Sequence, residues 1–329
     1  MNDIGSYIHE ELLKIPFDLF NLISRYIELN KGTKVAFVGG YVRDLLISKI
    51  HNRNFSKPLD IDIVIEGSAV ALAKFIKKNI ANIDLCLIKE FEIYNTVEIN
   101  INELKIDIAA ARKEIYSAPG LNPIVNKSSI EDDLKRRDFS INSIAFEVSK
   151  KQIYDLYKGI THIRNKELHL LHENSIQDDP SRLIRCARYA SRLGFKISTK
   201  SLQQSQKMVS EWPWETSKYE NKHIFPPAIS IRIRMELSEI YKYDNFTKTI
   251  SLLNDWQVIS ILNKNIVINN RFLRGLNWIK RLDGNYILYL LKNSDNLELS
   301  CQRFFINSKE KKFLKDFLNI SNILEKEKE

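Results

Sequence analysis

The chain has 329 residues, enough for two or three domains, and 44% of them are hydrophobic and 28% charged, the balance of a soluble globular protein with a sizeable core. Fifty Lys and Arg against 41 Asp and Glu leave a formal charge of +9, which favours a polyanionic partner such as nucleic acid. Three scattered cysteines, Cys86, Cys186 and Cys301, form no CxxC pair, which argues against a zinc site or a disulfide framework. The acid-bearing N-terminus does not read as a signal peptide, and no apolar run approaches the roughly 20 residues of a membrane span. A reducing, cytoplasmic setting is the expectation, and the sequence leaves the oligomeric state open.

Residues 8 to 30 carry Leu12, Leu13, Phe17, Leu19, Phe20, Leu22, Ile23 and Ile27 at helical spacing. "KVAFVGG" reads as a strand ending in a glycine turn, and "YVRDLLISKI" resumes a helical pattern. "PLDIDIVIEG" alternates, with Leu59, Ile61, Ile63 and Ile65 on one face and Asp60 and Asp62 on the other. Residues 68 to 80 predict an amphipathic helix. "TVEINI" and "LKIDIAAA" flank Asn102-Glu103 as a hairpin, which puts Lys105 and Asp107 on a shared polar face. Strand signals stop after "NSIAFEVSKKQIYDLYKG", and from about residue 165 the chain reads as helical. The charged "EKEKE" end reads as a frayed tail.

Asp60, Asp62 and Asp107 therefore fall on one face of one sheet. Hard divalent cations such as Mg²⁺ prefer oxygen ligands, commonly one or two carboxylates completed by substrate phosphates. Asp-x-Asp on a strand sets two carboxylates about 7 Å apart at the backbone. An alternating strand with one polar face is also ordinary, so the pair alone does not establish a cation site. Its neighbours add weight. Gly39 and Gly40 follow a strand and open a helix, where backbone N–H groups can hold phosphate, and Arg43 lies one turn in. This is neither a GxGxxG fingerprint nor a GxxxxGK[ST] loop, so neither hydride transfer nor P-loop chemistry is supported. In "EDDLKRRDFSIN", Arg137, Asp138 and Asn142 are the residue types a nucleotide's phosphate and sugar require. In "QDDPSRLIRCARYASRLGF", Asp179 and Pro180 read as an N-cap and first helical position. Leu183, Ala187, Ala190 and Leu193 share one helix face. Arg182, Arg185, Arg188 and Arg192 share the opposite one, with no acid at i+4, which points to a polyanion contact.

"VGGYVRDLL…DIDIV", "KIDIAAARKEIYSAPG", "RRDFSINSIAF" and "DDPSRLIRCARYASRLGF", in that order, resemble the bacterial class II CCA-adding tRNA nucleotidyltransferases and their poly(A) polymerase relatives, within the DNA polymerase beta nucleotidyltransferase superfamily. The resemblance runs from about residue 30 to 200 and continues weakly through "PAISIRIRMELSEI", which looks like the family's later Arg…Glu helix. It implies an α+β, polymerase-beta-like head with a mixed five-stranded sheet over 1–155, a helical neck with the nucleobase-reading element over 156–240 and a helical body and tail that bind tRNA over 241–329. It implies template-independent addition of C and A from CTP and ATP to the tRNA 3′ end, with an A-adding or CC-adding specialist, a poly(A) polymerase or a non-catalytic RNA-binding relative as alternatives. Asp60 and Asp62 match the catalytic pair that binds Mg²⁺, and Asp107 matches the third carboxylate. Gly39, Gly40 and Arg43 match the nucleotide-binding turn, and Arg137, Asp138 and Asn142 the residues near the ribose. Asp179 and Arg182 match the base-reading pair, with Arg185 and Arg188 continuing that helix. Two departures stand out: Asp178 replaces a glutamate, and Asn95 stands where glycine is common.

Overall fold

The computed structural model describes residues 3–55, 60–80, 87–91, 95–211, 226, 228–292 and 294–326. They form two compact units, one of residues 1–115 and 123–172, the other of 116–122 and 173–329. The expectations that fall on Leu59, Cys86 and residues 327–329 lie outside the described residues.

The first unit opens with α1 (Asp3–Leu13) and α2 (Leu19–Leu29). The predicted helical spacing is present in both, and the chain breaks between them: Pro16 cannot continue the hydrogen-bond ladder, and Phe17 and Asp18 turn the chain at φ +65° and +54°. β1 (Lys34–Val38) leads into α3 (Gly39–His51), then β2 (Asp60–Glu66) and α4 (Ala69–Asn79), whose first turn is capped by the Ser68 hydroxyl accepting from the Ala71 N–H. β3 (Leu87–Phe91), β4 (Thr96–Ile101) and β5 (Leu104–Ala110) follow. The β4–β5 connection is the predicted two-residue turn, with Ile101 opposite Leu104 and Asn102 at φ +53°. Asn95 likewise takes φ +45°, a left-handed conformation asparagine tolerates better than most residues, so the glycine it replaces is not required.

A small hairpin of β6 (Arg112–Ile115) and β7 (Ile124–Lys127) precedes α5 (Ile130–Lys135). β8 (Ala145–Glu147), β9 (Gln152–Tyr154) and α6 (Gly159–Asn165) complete the main elements of the unit. The main sheet runs β3-β4-β5-β2-β1-β8-β9, with β2 and β5 parallel and the other pairs antiparallel. It is mixed, as expected, with seven strands rather than five. β8 and β9 have three residues each, too few to show an alternation in sequence.

Ile61, Ile63 and Ile65 are fully buried on one sheet face. On the other, Val64 joins Ala36, Val38, Ala145, Ala111, Ile130 and Leu134 in an apolar cluster under α5. That cluster covers only part of the face, leaving Asp62 half-buried and Asp60 exposed on the same side.

In the second unit α7 (Ser175–Asp178) and α8 (Ser181–Leu193) lead to α9 (Thr199–Glu211), α10 (Ile233–Tyr243) and α11 (Phe246–Asp255). α12 (Asn270–Arg281), α13 (Tyr286–Leu291), α14 (Leu297–Arg303) and α15 (Ser308–Lys326) follow. Residues 116–122, the tip of the β6–β7 hairpin, pack within this unit: the Gly120 N–H donates to the Gln177 carbonyl and the Ala228 N–H to the Gly120 carbonyl. Cys186 and Cys301 are buried and form no disulfide among the described residues. Among the described residues no helix is long and apolar enough to cross a membrane.

Candidate active site

The site in the first unit is built around Asp62. Parallel pairing of β2 with β5 sets Asp62 beside Asp107 and Asp60 beside Lys105, while antiparallel pairing with β1 sets Asp62 beside Val38. One residue after Val38 the chain turns at Gly39, φ +71°, into α3. A Cβ at Gly39 would stand 2.6 Å from Asp62 Oδ2 and 3.3 Å from Arg137 Nη1, so only glycine admits both the backbone angle and the carboxylate. The Gly40 N–H donates to the Asp62 carboxylate, which thus lies at the start of α3, where the helix dipole favours negative charge. Burial raises the Asp62 carboxyl above the usual range. Arg137 opposes that rise and Asp107 and Asp60 add to it.

The donor set is all oxygen, and a half-buried carboxylate crowded by two others and opposed by one arginine is what a hard divalent cation would relieve. Among the described residues no three acidic, histidine or cysteine side chains are grouped to hold a metal ion. The third predicted carboxylate, Asp107, accepts instead from Lys105 Nζ at 2.7 Å, and Lys105 also lies 3.3 Å from Glu98. The residues present therefore fit a cation held by Asp60 and Asp62 and completed by phosphate oxygens.

Around this pair the remaining predicted residues form two buried charge networks. Arg43, only 2% exposed, is bidentate on Asp44 at 2.7 and 3.0 Å and donates to Asn142 Oδ1 at 2.8 Å. Asn142 Nδ2 donates to Asp138 Oδ1 at 2.9 Å, and the same oxygen accepts the Phe139 N–H. Arg43, predicted to meet phosphate directly, is thus engaged as a brace between α3 and the 138–142 turn. In the second network Arg137 donates to Asp133 Oδ2 at 3.1 Å, and Arg136 to Asp133 Oδ1 at 2.7 Å. Burial would raise the fully buried Asp133 carboxyl, but Arg137 and Arg136 outweigh it and hold it low. This clamp fixes Arg137 beside Gly39 and Asp62. Asp133 was missed from sequence because "EDDLK" reads as an ordinary acidic first turn.

In the second unit Asp179 is extended (φ −143°) and Pro180 helical (φ −58°), so the predicted cap-and-proline start of α8 is present. Asp179 Oδ1 accepts from the Ser181 N–H and hydroxyl at 3.0 and 2.6 Å, and Oδ2 accepts from Arg232 Nη1 at 2.7 Å. Arg232 Nη2 also donates to Asn122 Oδ1 at 2.9 Å. Arg182 is buried and donates to the Ser175 carbonyl and hydroxyl. Leu183, Ala187, Ala190 and Leu193 are buried as the helical pattern predicts.

The arginine stripe differs from its sequence reading. Arg185 Nη2 and Arg188 Nη2 pair with Glu236 of α10 at 2.7 and 3.1 Å, so the missing i+4 acid is supplied from 51 residues away. Arg232 and Glu236 were both legible only as part of "SIRIRMELSEI".

A mixed sheet with an Asp-x-Asp strand against a glycine turn, followed by a helical unit, defines a polymerase-beta-like nucleotidyltransferase fold. Residues 35–169 match the Poly A polymerase head domain family. An A-adding tRNA nucleotidyltransferase of Halalkalibacterium halodurans is 30% identical over 87% of this chain and 65% of that protein. One of Aquifex aeolicus is 29% identical over 74% of this chain and 27% of that protein. A solved CCA-adding enzyme superposes with a TM-score of 0.74 at 25% identity, covering 93% of this chain and 72% of that one. The chain resembles the class II CCA-adding enzyme and poly(A) polymerase family in sequence over residues 35–169 and in fold over 93% of its length. It spans less than two thirds of the length of both A-adding relatives named above.

Proposed function

We propose that the protein is a tRNA nucleotidyltransferase that adds C and A from CTP and ATP to the 3′ end of tRNA and releases pyrophosphate. The observation that carries this is Asp62 held against the Gly39–Gly40 turn, with Arg137 clamped beside it and Asp60 two residues earlier on the same strand face. A solved relative in complex with ATP, 25% identical with a TM-score of 0.70, supports the nucleotide class.

The chain's own groups divide the work. The carboxylates of Asp60 and Asp62 accept the positive charge that must accompany a triphosphate. Divalent cations such as Mg²⁺ held there would activate the terminal ribose hydroxyl and stabilise the leaving pyrophosphate. The start of α3, whose Gly40 N–H is taken by Asp62, is a helix N-terminus that would favour phosphate oxygens. Arg137, fixed by Asp133, supplies a cation beside the reacting phosphates at little ordering cost. Asp138 and Asn142, braced by Arg43, present a polar turn suited to ribose hydroxyls. In the second unit Asp179 and Arg182, the family's base-reading positions, are held by Ser181, Arg232 and Ser175 in place of a template.

A second reading, addition of A alone to tRNA already ending in CC, is favoured by the relatives of Aquifex and Halalkalibacterium, both named A-adding. Incubation with Mg²⁺ and labelled CTP or ATP on tRNA ending at the discriminator base, at C or at CC separates them. Incorporation of both nucleotides is expected. Incorporation of A only, on CC-ended tRNA, would replace the first reading with the second. No incorporation on any of the three would refute both.

A further inference from the structure

We propose that the first unit holds a second ligand site, a cleft behind β2 that takes a small aromatic zwitterion of the aromatic amino-acid class. The cleft has a volume of about 760 Å³, within the range of small-molecule sites. Three separate segments wall it: α1 with its turn toward α2, α3 with the chain that leaves it, and the β4–β5 turn. Ile61 lines it and alternates with Asp60 and Asp62 along β2, so the cleft lies on the sheet face opposite the two carboxylates. No step of the proposed nucleotidyl transfer uses these walls.

Two features mark the cleft as more than a packing gap. Tyr41, in the first turn of α3, lines it and is only 5% exposed, yet among the described residues its hydroxyl has no hydrogen-bond partner. Burial holds that hydroxyl above the usual tyrosine range, and Glu11 and Tyr7 add to the rise, so it stays protonated as a donor. A buried donor without an acceptor is a standing cost that a ligand acceptor would relieve. Phe17, also in the lining, sits at φ +65°, a left-handed conformation that bulky residues rarely adopt.

The lining selects the ligand. Phe17, Tyr41 and Phe55 give it aromatic walls, with the Tyr41 and Phe55 ring centroids 5.7 Å apart, which suits a flat apolar ring. A phenol oxygen on that ring would accept from the Tyr41 hydroxyl. Glu11 is already paired with Lys14 at 2.6 Å. Arg53 and Glu103 also line the cleft, both exposed, and among the described residues neither has a partner of opposite charge. A carboxylate and an ammonium on one small molecule match that cation and that anion together. A nucleotide would instead set its phosphate charges against Glu11 and Glu103. The reading does not rest on the proposed transfer activity, and its test needs none, so the two can fail separately.

The experiment is a saturation-transfer NMR titration of the full chain with L-tyrosine, L-phenylalanine, tyramine, which lacks the carboxylate, and desaminotyrosine, which lacks the ammonium. L-tyrosine should bind tightest. L-phenylalanine should bind roughly fivefold more weakly for want of the phenol oxygen, and Tyr41→Phe should abolish that difference by weakening L-tyrosine alone. Tyramine and desaminotyrosine should each lose roughly threefold. Arg53→Gln should bring L-tyrosine down to tyramine, and Glu103→Gln should bring it down to desaminotyrosine. Arg53 and Glu103 are exposed, so thermal melting should show both variants folded, and the comparison of the four compounds needs the wild type only. Saturating ATP with Mg²⁺ should leave L-tyrosine bound. No saturation transfer to any of the four, tyramine or desaminotyrosine binding as tightly as L-tyrosine, the same preferences in the variants as in wild type, or displacement by ATP would overturn the proposal.

Discussion

Gly39→Ala isolates the geometry on which the site depends. Alanine in the left-handed region costs about 1–2 kcal/mol, and reduced freedom of the unfolded chain returns about 0.4–1 kcal/mol. The backbone term is therefore roughly 1 kcal/mol, a fall in Tm of about 2–4 °C. The larger effect is local. The new Cβ would meet Asp62 Oδ2 at 2.6 Å, so reaching ordinary contact at 3.4 Å requires the carboxylate to retreat by about 0.8 Å. A displacement of that size at a reacting centre costs roughly 10²-fold in rate. Nucleotide incorporation by rapid quench, alongside thermal melting, should show the large loss of rate with the small loss of stability. Gly40→Ala is the stability control, since its Cβ would find only Arg43 Nη2, at an ordinary 3.7 Å. Full activity in Gly39→Ala, or a loss that merely tracks unfolding, would refute the reasoning.

Other variants probe the surrounding networks. Arg137 lowers the Asp62 carboxyl that burial raises, so Arg137→Met should raise it further. The ionised carboxylate is the working form, so the acid limb of the pH–rate profile should move to higher pH in Arg137→Met and stay closer to wild type in Arg137→Lys; a limb that moves down would contradict this. Asp133→Asn leaves two arginines facing a neutral amide and should cost roughly 3 kcal/mol by urea unfolding at neutral pH. Because the folded Asp133 carboxyl is depressed, its stabilisation is present above the ordinary carboxylate range and lost as pH falls through the folded value. The difference from Asp133→Asn should therefore shrink in acid, and a constant difference would sink the attribution. Arg232→Met frees one oxygen of Asp179 and should raise the KM for nucleotide roughly tenfold with a smaller change in kcat, which steady-state kinetics would check.

Much of the head was legible in sequence because its signals are local. Alternation in "DIDIVIE" placed Asp60 and Asp62 on one face, and the two-residue gap between "TVEINI" and "LKIDIAA" fixed the hairpin register that sets Asp107 opposite Glu98, while its place beside Asp62 comes from the parallel β2–β5 pairing. The cap at Asp179 followed from Asp-Pro alone. What escaped was long-range pairing. Arg43 meets Asn142 across 99 residues and Arg185 meets Glu236 across 51, and no periodicity reports such contacts. The helical spacing over 8–30 holds on both sides of Pro16, but spacing alone does not report the break in the backbone there. Lys105 shares a face with Asp107, a spacing that was visible, but its pairing with Asp107 depends on side-chain reach, which alternation does not report.

The most direct test of the central claim is single-turnover incorporation of labelled AMP onto CC-ended tRNA by wild type, Asp60→Asn and Asp62→Asn, each checked for folding. If the two aspartates carry the chemistry, each substitution should cut the rate by about 10³-fold or more while binding of the tRNA, measured separately, holds. Activity within a few-fold of wild type in either variant would contradict the account.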